Sequence, residues 1–147
     1  MGTKSNIDQL NSFLRGEISA VETYRMALEK LDKSSTTRAE IETNMRSHQV
    51  RVRLLEDQIR ACGGEPAKTS GPWGVLAKAI EGSARLFGDK AAVAALEQGE
   101  DHGLKDYKSE VDDKDLDFEA HLLLVSRLLP LQEQTHDRMS MLKSRLP

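Results

Sequence analysis

The sequence predicts an all-α protein, an up-down bundle of four long helices with one crossover connection that carries a short helix. Three observations lead there. Apolar residues recur every three to four positions through most of the chain, the spacing that gathers them on one side of a helix. Aromatic residues make up only 4% against 31% charged, a balance that suits helices rich in Leu, Ala, Lys and Glu better than sheets. A single turn-rich stretch, GGEPAKTSGPWG from Gly63, holds two of the four prolines and divides the chain into two helical halves.

The first helix spans about Asn6 to Leu31, with Ile7, Leu10, Leu14, Ile18, Val21, Tyr24, Leu28 and Leu31 stepping by threes and fours. DKSSTT breaks it, and Thr37 with Glu40 has the spacing of a capping box for the second helix. Ile41, Met45, His48, Val52, Leu55 and Ile59 form the apolar side of that helix, which Gly63-Gly64 ends. The crossover covers about residues 63–88, and within it VLAKAIEGSARLF reads as a short amphipathic helix closed by Gly88. Asp89 is the expected N-cap of the third helix, with Val93, Leu96, Leu104, Tyr107 and Val111 on its apolar side. The acidic run Asp112 to Asp115 turns the chain into a fourth helix from about Leu116 to the end. Pro130 should kink that helix, since it removes a donor and crowds the preceding turn. The whole of 1–147 reads as one domain.

Several function classes are disfavoured. A formal net charge of −3 argues against binding nucleic acid by phosphate neutralisation. No run approaches the length of a membrane span, and MGTKSNID lacks the apolar core of a secretion signal, so a soluble, cytoplasmic protein is expected. Cys62 is the only cysteine, which rules out an internal disulfide and a cysteine-built zinc site.

Polar side chains on the apolar stripes are the informative exceptions. Glu17 falls in register with Leu10, Leu14, Val21 and Tyr24, His48 lies on the stripe of the second helix, and Glu100 on that of the third. Glu133 and His136 are placed with Leu129, Met139 and Leu142 in the fourth. A buried carboxylate without a partner is costly, so these groups call for pairing or a metal. A short repeat supports their convergence. Gly16-Glu17 and Gly99-Glu100 are each followed seven residues on by a tyrosine, Tyr24 and Tyr107, and Ser47-His48 is echoed by Thr135-His136. Carboxylates and imidazoles converging in a bundle can hold iron or manganese. Glu133-x-x-His136 spans one turn, Glu97 lies one turn before Glu100, and the tyrosine hydroxyls can orient carboxylates across the bundle.

At these residues the chain resembles the ferritin-like superfamily, including bacterioferritin and rubrerythrin. LNSFLRGEISAVETYRMAL is similar to the ligand-bearing first helix of bacterioferritins, and LQEQTHDRM carries the glutamate-x-x-histidine of the fourth. RACGGEP, SGPWG and EQGEDHGLKDY resemble a bacterial ferritin-like family catalogued as a domain of unknown function. The resemblance implies a ferritin-like bundle with Glu17, His48, Glu100, Glu133, His136 and Glu97 as metal ligands and Tyr24 and Tyr107 behind them. The chain departs from the pattern at Met45, where the second helix of the superfamily has its glutamate.

Two functional readings follow. One is a ferritin-like metalloprotein binding iron or manganese and handling oxygen, peroxide or iron. The other is a helical structural or interaction module whose Glu/His cluster is a metal-free hydrogen-bond network. In either, the expected partner is another copy of the chain. The basic residues Arg46, Arg51, Arg53 and Arg60 read as a solvated face, and Trp73 as a packing anchor for the crossover.

Overall fold

A computed structural model describes residues 3–70 and 88–146, and the regular secondary structure among the described residues is all helical. Helix α1 is Lys4–Lys30, α2 is Arg38–Ala61 and α3 is Asp89–Glu110. The fourth long helix, α4, is a continuous run of Phe118–Leu123, a π-helical turn Leu124–Leu128 and Leu129–Arg145. The short crossover helix and Trp73 lie outside the described residues.

The helix ends show how the chain is tied. Thr3 Oγ1 accepts the Asn6 amide at 3.1 Å to start α1. The Asn6 side chain in turn donates to Asp117 Oδ2 and accepts from the Asp117 amide, at 3.1 and 2.9 Å. Asp117 Oδ1 also caps α4 by accepting from the Ala120 amide at 2.8 Å, so one pair of residues fixes the beginnings of two helices. The end of α2 has Gly63 at φ 82°, with the Gly64 amide donating to the Ile59 carbonyl at 2.9 Å, a Schellman closure that a glycine permits.

Two expected caps are corrected. Thr37 precedes α2 in helical backbone and makes no side-chain cap; its hydroxyl donates instead to Asp89 Oδ2 at 3.4 Å, beside Ser35 Oγ at 2.5 Å. Asp89 is the first residue of α3, with Gly88 before it at φ 75°, and its carboxylate ties α3 to the turn between α1 and α2.

The chain leaves α2 along α1. The Asn11 side chain accepts the Ala67 amide at 2.7 Å and donates to the Glu65 carbonyl at 3.0 Å, and Ser70 Oγ donates to Glu22 Oε2 at 3.0 Å. Residues 65–70 thus climb the bundle toward the end where α3 begins, which is the path of a crossover.

Helix α1 packs chiefly on α2, and α3 chiefly on α4, so the bundle is two helix pairs placed face to face. Its core has two apolar clusters. One gathers Leu10, Leu14, Leu55, Ile59, Leu124 and Leu128, the other Ala27, Ile41, Val93, Leu96, Met139 and Leu142. Between them lies a polar layer. Just before Pro130, where a kink is expected, the helix has a π turn, in which the Leu129 amide reaches the Leu124 carbonyl, five residues back. The wider turn accommodates a proline ring that would crowd an ordinary α-helix.

Candidate functional site

The polar layer is built from three of the residues that the sequence singles out. Glu17 of α1, His48 of α2 and Glu100 of α3 meet at one level, each 2% exposed. His48 lies between the two carboxylates, with Nδ1 2.5 Å from Glu17 Oε1 and Nε2 2.7 Å from Glu100 Oε2. Each ring nitrogen thus faces a carboxylate oxygen, an arrangement that favours the doubly protonated imidazolium.

The tyrosines serve across the helix pairs. Tyr24 of α1 donates to Glu100 Oε2 at 2.5 Å, and Tyr107 of α3 donates to Glu17 Oε2 at 2.8 Å. Tyr24 also accepts from Asn44 Nδ2 at 2.9 Å, and its ring stands 5.3 Å from the His48 ring, tilted by 31°.

Arg51, which sequence reasoning placed on a solvated face, is fully buried here. Its guanidinium lies 3.3 Å from Glu17 Oε2 and donates to Gln132 Oε1, to Thr135 Oγ1 at 3.1 Å and to Ser47 Oγ at 3.2 Å. The signal was in the spacing. Asn44, His48, Arg51, Leu55 and Ile59 follow one stripe, and all five are buried.

The fourth helix corrects the expectation for Glu133 and His136. Gln132 and Thr135 face the core, where each donates to Glu100 Oε1, at 2.8 and 2.7 Å. Counting back from buried Met139, Thr135 and Gln132 stand four and seven residues away, on the same side of the helix. Glu133 is six away, about 240° around the helix, and it is exposed. His136 is at the flank, 20% exposed, and bonds Asp101 and Asp137. Glu97 is likewise outside the layer and pairs with Lys143 at 3.0 Å. Met45 packs at the edge of the second apolar cluster and does not enter the layer.

The layer's electrostatics are closed. Burial acts to raise the pKa of Glu17, but the charges of Arg51 and His48 and the hydrogen bonds from His48 and Tyr107 outweigh it and leave it below the ordinary value. Burial acts the same way on Glu100, and His48, Thr135 and Tyr24 bring it down to about 2. Burial and Arg51 push His48 downward; the two flanking carboxylates prevail and raise it. Burial, then the adjoining carboxylates, drive Tyr24 and Tyr107 well above the phenol range, so both remain donors. Two carboxylates thus face one guanidinium and one imidazole whose protonated form they favour. No buried side-chain polar atom among the described residues lacks a partner.

This donor set does not fit a metal ion. Every carboxylate oxygen accepts at least one hydrogen bond, both imidazole nitrogens are committed, and Arg51 supplies cationic charge where a metal would. Among the described residues no three His, Cys, Asp or Glu side chains are arranged to hold one.

Among the described residues the layer is sealed unequally. Between α2 and α4 the gap is filled by Asn44, Arg51, Gln132, Thr135 and Arg138, which are joined by hydrogen bonds. Between α1 and α3 a cavity of about 320 Å³ reaches Glu17, His48 and Glu100, past Gly16, Ala20 and Gly99.

Residues 5–113 match the family described as "Domain of unknown function (DUF2383)". No curated protein and no solved structure matches the chain.

Proposed function

The chain belongs to the DUF2383 family, and we propose that it is a ferritin-like bundle whose metal charge has been taken over by an arginine and a protonated histidine. In this reading it works as a metal-independent helical binding module, and as a homo-oligomer. The observation that carries the reading is the Arg51 guanidinium, wholly buried and 3.3 Å from the carboxylate of Glu17. A di-metal centre gathers carboxylates because it has cationic charge to neutralise. Here two carboxylates meet two organic cations, and the charges cancel without an ion.

The ferritin-like metalloprotein reading draws on the convergence of Glu17, His48 and Glu100. It requires His48 to release a carboxylate and Arg51 to withdraw from the layer, leaving buried donors without partners. The geometry therefore favours the metal-independent reading.

The test is metal analysis of protein purified from cells supplemented with iron or manganese, alongside the His48→Ala variant. Substoichiometric metal in both is the expected result. One or two ions per chain, lost in His48→Ala, would overturn the reading.

A further inference from the structure

We propose that the cavity between α1 and α3 binds a small organic cation, a protonated amine carrying an apolar body. This deepens the binding-module reading and rests on it, because the charge of the floor must be fixed by the chain's own residues.

Size comes first. About 320 Å³ is at the lower end of the range of small-molecule sites, and the walls reach a cluster of buried ionisable groups, the combination that marks such sites in helical bundles. The space is open at Gly16, where an added Cβ would meet nothing within 4 Å.

Charge then selects the ligand. Among the described residues four carboxylates line the cavity, and the described lining includes no Lys or Arg. Glu17 and Glu100 at its floor are balanced by Arg51 and His48, so Asp106 and Glu110, farther along α3, supply the unbalanced negative charge. Arg51, which balances Glu17, stands behind the floor and not on the cavity wall. Among the described residues the basic side chains lining it are His48 and His102, the first committed to both floor carboxylates and the second 3.4 Å from Asp106. Among the described lining residues an anion would find no Lys or Arg donor. Burial and the neighbouring Asp113 carboxylate raise the pKa of Glu110, and a cation close by would relieve that crowding.

The walls supply the apolar half. Phe13, Tyr24 and Tyr107 line the cavity, with Phe13 and Tyr107 packed edge-on at 5.1 Å. Aromatic faces attract ammonium groups, and most strongly where water is excluded.

The experiment is calorimetric titration of the full chain with benzylammonium and 2-phenylethylammonium, against phenylacetate and benzyl alcohol. Saturable one-site binding of at least one amine is expected, with the neutral and anionic probes at least tenfold weaker. Gly16→Leu adds a side chain whose Cβ meets nothing within 4 Å, and leucine favours the helix, so it should stay folded by circular dichroism and bind the amine at least tenfold more weakly. Asp106→Asn with Glu110→Gln should weaken the amine severalfold and leave benzyl alcohol unchanged. No saturable amine binding, equal binding of phenylacetate, or undiminished binding by folded Gly16→Leu would each overturn the proposal. The metal analysis fails independently: stoichiometric iron or manganese removes the metal-independent reading whatever the amines do, and metal-free protein that ignores the amines removes only this inference.

Discussion

Arg51 and Glu17 form an ion pair at 3.3 Å with side chains 0% and 2% exposed, on neighbouring helices of one pair. A buried pair of this kind contributes little over an apolar replacement of both partners, yet losing one partner strands the other's charge. Arg51→Met should therefore destabilise the bundle by about 3–5 kcal/mol in urea unfolding. Adding Glu17→Gln should recover part of that loss, since the stranded carboxylate is gone. A single-mutant cost below about 1 kcal/mol, the range of exposed pairs, would contradict the pairing.

Stability should pass through a maximum between about pH 4.5 and 6.5, the ordinary values of the glutamate and histidine side chains. Glu100 has a depressed pKa, so its contribution is complete above 4.5 and disappears as pH falls toward about 2. That shift corresponds to something on the order of 3 kcal/mol. His48 has a raised pKa, so its contribution is complete below 6.5 and disappears as pH rises through the folded-state value. Urea midpoints from pH 2 to 10 check both arms, and in Glu100→Gln the acid arm should flatten.

Tyr24→Phe should cost more than Tyr107→Phe. The Tyr24 hydroxyl donates to Glu100 and also accepts from Asn44, whereas the Tyr107 hydroxyl donates to Glu17. Hydrogen bonds to charged groups contribute about 1.5–3 kcal/mol each, so both variants should lose stability within or above that range. Equal losses in denaturant unfolding would mean that the Asn44 contact contributes nothing.

Glu133→Ala should be close to silent, within about 0.5 kcal/mol, as befits an exposed helix position. Thr135→Val keeps the shape but removes a donor to Glu100 Oε1 and an acceptor for Arg51, and should cost about 1–3 kcal/mol. The reverse order in thermal or urea unfolding would place the wrong face of α4 in the core.

These positions also explain what could be read from the sequence and what could not. Helix α1 was legible in both its limits and its chemistry, because Glu17 is one carboxylate among Leu10, Leu14, Val21 and Tyr24. Glu100 and His48 stood out for the same reason. Arg51 did not, since an arginine four residues from Leu55 looks like any solvated charge until its partners are known. Gln132 and Thr135 were concealed by the more conspicuous Glu133 and His136 beside them. Side-chain identity drew attention to the ionisable pair, while the phase set by Met139 and Leu142 selected the neutral one. Hydrophobic spacing reports where apolar surface must go, and a polar core residue is invisible to it unless the phase is counted from a firm anchor.

The π turn at Leu124–Leu128 keeps that phase. Ala120, Leu124, Leu128 and Gln132 are buried at successive steps of four, a spacing that in a plain α-helix drifts about 40° per step. The wide turn absorbs the drift, in effect by containing one residue more than the rise demands. It works like a leap day, restoring the calendar of the helix to the season of the core. Were this turn closed to ordinary α geometry with its residues unchanged, Gln132 would be carried about 100° to where Glu133 now stands, and Thr135 to where His136 does. Leu131 and Gln134 would then face Glu100, so the chemistry of the layer on this side depends on a turn that touches none of its residues.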